Sequence, residues 1–439
     1  MNVVNKPLST QRERWAWYLY DFANSSYAAV VLLAVYSAYF KNEVVGGAEG
    51  SRLWGLSISV AMIVVAVLSP ILGAIADFSA SKKRFLLIFT SIACAFTSLL
   101  FFVQKGDIVM GMVFFILAEI GYRSAQVFYN ALLTEIAAPA EIGRVSGTGW
   151  AIGSAGGVVI LLIILPLIVL IKGTFIVRVS LIITGVFFAI FAVPIFLWLR
   201  ERGRAQQLPP GETYFSMALQ QLRRTIRTAR QFREFLKFML AVLLYDDGII
   251  MALDFAAIIG AVLFGMNQTM LIVFVIIVQV TNVIGAYLFG ILADRYGCKR
   301  TLTMSILMMI AIVIWLFFNQ TQLGFLIIGA FAGVAMAGVQ SVSRTMVGVL
   351  TPPAQSGEFY GFFSIVGRTS SFIGPAVYGW LAAEGALWYE RQGLAVTSAE
   401  QMGQRIASLS IALFLTVGLF VLRFVYEERG RAAALAHSA

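Results

Sequence analysis

The 439-residue chain is 60% hydrophobic and only 12% charged, and its 32 Lys and Arg against 22 Asp and Glu give a formal net charge of +10. A soluble domain carries roughly 25% charged residues, so a water-soluble fold is excluded. Two cysteines, Cys94 and Cys298, and one histidine, His437, argue against a disulfide framework, a metal site or a histidine relay, and no cofactor is expected.

In chain order, the stretch Met1 to Arg14 is polar, and the apolar block after it has no small-residue cleavage site, so no removable signal peptide is expected. Twelve apolar blocks follow, each near the ~20 residues that cross a bilayer as helix. The first six are placed at Trp15 to Phe40, Leu53 to Ala76, Phe85 to Val103, Ile108 to Leu133, Val145 to Ile171 and Phe175 to Leu199. The second six are placed at Phe235 to Phe264, Thr269 to Ala293, Leu302 to Phe318, Leu323 to Leu350, Phe359 to Ala383 and Ile406 to Tyr426. Stretches such as Val158 to Ile171 show no apolar and polar alternation, which argues against a transmembrane barrel. The expected fold is an all-α membrane protein of twelve transmembrane helices in two pseudo-symmetric six-helix bundles, residues 1–199 and 235–439, joined by a basic linker over 200–234.

The basic residues lie between the blocks, which sets a nucleic-acid partner aside. With both termini cytoplasmic, Lys6, Arg12, Arg14, Lys82, Lys83, Arg84, Arg144, Arg295, Lys299, Arg300, Arg423, Arg429, Arg431 and the linker fall inside; few fall outside. The positive-inside rule therefore predicts that orientation in a plasma or inner membrane. In the linker, Leu208, Pro209, Pro210 and Gly211 break the chain. Beyond them Phe215, Leu219, Leu222, Ile226, Ala229 and Phe232 recur at helical spacing opposite arginines. That pattern predicts a helix lying on an anionic leaflet, with membrane lipid as partner.

Two loops repeat. Gly73 and Asp77 precede Lys82, Lys83 and Arg84; Gly290, Asp294 and Arg295 precede Lys299 and Arg300. Gln126, Pro139, Gly143 and Gly147 find counterparts in Gln340, Pro353, Gly357 and Gly361 at nearly the same offset, which argues for duplication of a six-helix unit. The G-x-x-x-D loop with its basic cluster resembles the signature of the major facilitator superfamily. The resemblance implies that Asp77, Lys82, Lys83, Arg84, Asp294, Arg295, Lys299 and Arg300 act as gate residues; Phe78 departs from the pattern, which usually has a basic residue there. Three further stretches narrow the branch: Trp17 to Tyr27, Tyr129 to Trp150, and Ser343 to Pro375. They resemble the vacuole-effluxer branch, whose fungal members export amino acids from vacuoles.

Ionisable side chains at mid-bilayer cost several kcal/mol unless paired or hydrated, so they mark candidate solute contacts. The fourth block carries Glu119, Arg123, Gln126 and Asn130 along one helical stripe. The first block offers Asp21, Asn24 and Ser25. The seventh has Tyr245, Asp246, Asp247 and Asp254, and the tenth and eleventh hold Gln340, Arg344, Arg368 and Ser371. The superfamily resemblance places the first, fourth, seventh and tenth helices around a central cavity. Gly149, Gly153 and Gly157 at four-residue spacing fit close helix packing. Mixed charge favours a zwitterionic small-molecule solute, an amino acid or short peptide, moved by a monomer with a coupling ion, the proton. A sugar, drug or lysolipid carrier, or a non-transporting receptor or scaffold, is the alternative. No phosphate-cradling loop or partnered nucleophile occurs, so no enzyme is expected and an ion gradient would supply the energy.

Overall fold

The computed structural model describes residues 9–78, 81–137, 141–202, 213–351, 359–360, 362–363, 366–367 and 371–436. The regular elements among the described residues are helices. That follows from the medium, because backbone in hydrocarbon must bond to itself and a helix does so within one segment. In the first half these are α1 (Gln11–Val45), α2 (Gly47–Phe78), α3 (Lys82–Leu99), α4 (Ile108–Ile136), α5 (Ile142–Ile171) and α6 (Thr174–Trp198). A separate helix α7 (Tyr214–Ala229) follows. The second half holds α8 (Arg233–Asp254), α9 (Ala256–Phe264), α10 (Gln268–Tyr296), α11 (Cys298–Phe318), α12 (Gln322–Val349), α13 (Ile373–Arg391), α14 (Val396–Arg423) and α15 (Glu427–Ala436).

Among the described residues, ten helices are long and apolar enough to cross a membrane, and α8 with α9, bent by 53° at their junction, is long and apolar enough only as a pair. Hydropathy predicted one unbroken helix from Phe235 to Phe264. The break falls at Phe255, where the Asp254 carbonyl accepts the Trp54 indole N–H at 2.9 Å and the Phe255 ring lies 4.1 Å from Tyr378. The block expected at Phe359 to Ala383 runs partly outside the described residues; its described part is helical except for a turn at Ser371 and Phe372, just before α13.

Local chemistry sets several ends. Before α1, the Thr10 hydroxyl accepts from the Glu13 amide at 3.3 Å while the Glu13 carboxylate accepts from the Thr10 amide at 2.8 Å, a reciprocal capping box. Asn267 caps α10 through the Met270 amide at 3.0 Å, and Gly265 closes α9 at φ +61°, a left-handed position that favours glycine. Within α1, residues Ala28–Ala34 and Phe40–Val45 take the wider π-helical winding.

Packing divides the chain into two units. The first comprises Met1–Leu32 and Val67–Gln220. In it α1 lies along α5 and α6, and α3 along α4 and α6. A methyl at Gly149 would meet the Trp17 ring at 2.3 Å, one at Gly153 the Asp21 carboxylate at 2.5 Å, and one at Gly156 the Phe22 carbonyl at 2.0 Å. Small residues thus let α5 take the Trp17 and Asp21 side chains of α1 closely and, at Gly156, meet its backbone.

The second unit comprises Leu33–Ala66 and Gln221–Ala439. Here α8 lies along α14, as α1 lies along α6, and α11 lies along α12, as α3 lies along α4. The far end of α1 and the first part of α2 also belong to this unit. On α7, Phe215 and Leu219 are exposed, as are Arg223 and Arg227.

Candidate transport site

In the first unit, the carboxylate of Glu119 has no exposure and accepts from Arg123 Nε at 2.7 Å, while a quarter of the Arg123 side chain stays open. One helical turn separates the two residues, so α4 alone positions the pair. Glu119 Oε2 and the Tyr27 hydroxyl are both buried, and the two side chains lie against one another. Tyr27 stacks on Tyr122 at 4.6 Å, and the Arg123 guanidinium lies 5.3 Å from the Tyr122 ring. Along the same stripe Gln126 is half-buried and Asn130 is exposed. The stripe therefore runs from a buried carboxylate to an exposed end.

On α1, Asn24 is buried and donates to the half-buried Asp21 carboxylate at 3.4 Å. The large rings nearby are structural. Trp17 donates to the Tyr129 carbonyl at 3.1 Å and stacks on that ring at 4.4 Å, and Tyr20 shares a hydrogen bond of 2.7 Å with Thr90.

In the second unit, the Tyr245 hydroxyl pairs with Ser343 at 2.7 Å. Asp247 is buried and accepts from the Gly374 amide at 3.4 Å, whereas Asp246 and Gln340 are half-buried and Arg344 is exposed. Asp254, at the α8 break, is buried. Arg368 lies outside the described residues. α8 thus brings Asp246 and Asp247 to different surroundings although they are adjacent in sequence.

The basic loops are held by acids that sequence reasoning missed. Glu201, just past α6, accepts from the Lys82 and Lys83 amides at 2.6 and 3.3 Å, and Lys83 Nζ donates to the Phe196 and Leu199 carbonyls at 2.9 and 2.6 Å. Lys82 Nζ pairs with Glu135 at 2.6 Å; Glu135 also accepts from the Arg202 amide at 2.7 Å, and the Arg202 side chain reaches Glu13 at 2.8 Å. In the second unit Glu427 accepts from the Cys298 and Lys299 amides at 3.0 and 2.8 Å. An acid shortly after the sixth and the last apolar blocks was the available signal. Arg84, Asp294, Arg295 and Arg300 are exposed; Asp77 is in the last turn of α2, and its side chain lies outside the described residues.

Apolar helices in this number, internal duplication and buried mid-helix charge define a membrane transporter of the major facilitator type. Solved structures agree on the fold: a bacterial homologue of the human lysosomal transporter Spinster, in an inward-facing and unoccupied conformation, superposes with a TM-score of 0.71 at 15% identity over 98% of both chains. A point mutant of the nucleoside transporter NupG superposes at 0.70 and 14% identity, covering 94% of this chain and 99% of that one. The chain belongs to the family described as vacuole effluxer Atg22 like, whose model matches residues 53–143 and 139–435. An uncharacterised MFS-type transporter, YxiO of Bacillus subtilis, is 27% identical over 94% of each chain. Autophagy-related protein 22-1 of Neosartorya fischeri is 28% identical over 67% of this chain and 50% of its own length, so the chain spans about half of that fungal relative.

Proposed function

We propose that the chain is a secondary transporter that carries a small zwitterion, an amino acid or short peptide, by alternating access driven by an ion gradient, with the proton as coupling ion. The observation that supports this is the Glu119–Arg123 pair, a fully buried carboxylate beside a guanidinium that keeps one side open. Breaking such a pair leaves two uncompensated charges in a dry setting. A zwitterion supplies both counter-charges at once: its carboxylate takes the Arg123 fork and its ammonium takes Glu119. A proton on Glu119 achieves the first half of that exchange alone, which links protonation to anion binding.

Asp21, Asn24, Gln126 and Asn130 in the first unit are further solute contacts in this reading, as are Tyr245, Asp246, Asp247, Gln340 and Arg368 in the second. Asp77 and Asp294, with Lys82, Lys83, Arg84, Arg295, Lys299 and Arg300, serve as the cytoplasmic gate. The protein works as a monomer in the plasma membrane with both termini in the cytoplasm, and α7 lies on the anionic leaflet. The test is flux of labelled amino acids in proteoliposomes under an imposed proton gradient. Arg123→Ala and Glu119→Gln are expected to abolish it, and Arg123→Lys to weaken it by losing the bidentate fork. Unchanged flux in Arg123→Ala and Glu119→Gln overturns the site.

A further inference from the structure

The Glu119–Arg123 pair has a third member, supplied by another helix. Arg123 Nε donates to one oxygen of the carboxylate, Oε1, at 2.7 Å. The other oxygen is buried, and the hydroxyl of Tyr27, also buried and brought there by α1, lies against the carboxylate. An ionised carboxylate accepts several hydrogen bonds, so a single guanidinium nitrogen leaves much of its capacity to be met. The ring fixes where Tyr27 stands. It is fully enclosed and stacks on Tyr122 at 4.6 Å with the planes 27° apart, and the Arg123 guanidinium lies 5.3 Å from that Tyr122 ring. Stacking holds the phenol in place while its O–H hydrogen stays free to rotate towards an acceptor.

Another buried ion pair of the chain makes a useful contrast. Lys41 on α1 pairs with Glu400 on α14, with 5% of one side chain and 14% of the other exposed, so both charges are shut in together. Glu119–Arg123 is built asymmetrically. Its carboxylate has no exposure while a quarter of the guanidinium is open, so one partner is fixed and the other has room to turn. Turning away would strand the carboxylate in a buried setting unless another donor stood beside it. Tyr27 is that donor.

We propose that Tyr27 is the positioning residue for partner exchange at this pair: its hydroxyl donates to Glu119 while Arg123 swings to a solute carboxylate. The buried charge thus passes from one donor to another and is not left bare in between. The phenol keeps its own proton throughout, and only the hydrogen bond changes hands. When Arg123 returns, the hydroxyl releases the carboxylate. This assignment rests on the proposed exchange at Glu119–Arg123 and does not depend on which solute drives it.

The test contains no solute. Phenylglyoxal modifies guanidinium groups that are not engaged by a carboxylate, and its rate at Arg123 is read by mass spectrometry in nanodiscs, against exposed Arg300 in the same sample. Tyr27→Phe keeps the stacked ring and removes the hydroxyl. With no second donor, Arg123 stays longer on Glu119, and labelling is expected to slow about tenfold or more, the scale of one hydrogen bond to a charged group. A merely structural role for the phenol predicts the opposite sign, because looser packing beside Tyr122 frees Arg123. Glu119→Gln removes the charge that holds Arg123 and is expected to speed labelling; adding Tyr27→Phe to it is expected to change nothing further. Labelling of Arg123 in Tyr27→Phe that equals or exceeds the parent's, or a slowing that persists in the Glu119→Gln background, would each overturn the proposal. Slowed labelling in Tyr27→Phe beside an amino-acid flux indifferent to Arg123→Ala would support the handover while removing the solute assignment.

Discussion

The two copies of the basic loop solve the same problem at different levels of elaboration. Each begins a helix with a cluster of basic residues, although the positive end of a helix dipole disfavours cations. In both copies a glutamate from beyond a later helix accepts the first amides: Glu201 for α3 and Glu427 for α11. The first copy adds an ionic web of Glu13, Glu135, Lys82 and Arg202, joining α1, α3, α4 and the end of α6. The second has a smaller set among its described residues: Glu234 on α8 pairs with Lys237 at 2.8 Å and accepts from the Tyr426 amide at 2.7 Å. It also surrounds the Tyr426 ring with Lys237 and Lys299 at 5.5 Å and Arg429 at 4.6 Å, and Lys299 Nζ donates to the Arg423 carbonyl at 2.9 Å. The glutamate cap is therefore shared, and the ionic set beside it is larger in the first half.

That comparison can be broken most forcefully at Glu135. Glu135→Ala strands Lys82 and the Arg202 amide together, and is expected to cost about 2–4 kcal/mol, the largest fall in apparent melting temperature in the set. Glu201→Ala removes two amide acceptors and should cost about 1–2 kcal/mol. Glu427→Ala should match it or fall slightly below, at about 1 kcal/mol, because the same cap is lost beside a smaller ionic set. A Glu427→Ala loss several times larger than that of Glu201→Ala would show that the caps are not equivalent. The smallest stability effect is expected from Arg84→Gln and Arg300→Gln, within about 0.5 kcal/mol for exposed positions. Reduced flux in these two variants with an unmoved melting temperature would mark gating; unchanged flux would remove them from the gate.

Much of this was readable because the bilayer imposes it. Long apolar blocks had to be helices, and the Glu119–Arg123 stripe follows from a spacing of four on one of them. The glycines of α5 were legible as packing residues at Gly149 and Gly153, and Gly156 makes a further close approach that the four-residue spacing did not mark. The break at Phe255 was hidden, since no Pro or Gly marks it. Its freed carbonyl is satisfied by Trp54, two hundred residues earlier in the chain, and no local pattern encodes such a partner. Glu201, Glu427 and Glu135 escaped for a related reason. The charged side chains of the basic loops drew attention, while the acids answer largely to backbone amides, which every sequence possesses.

The burial of Lys41 also restricts how this protein can diverge. A lysine with 5% exposure tolerates few neighbours, so positions 41 and 400 are expected to drift as a couple, exchanging sign together or turning apolar together. Descendants that alter one alone would carry a stranded charge, and the lineage record of such a pair should hold few halfway steps.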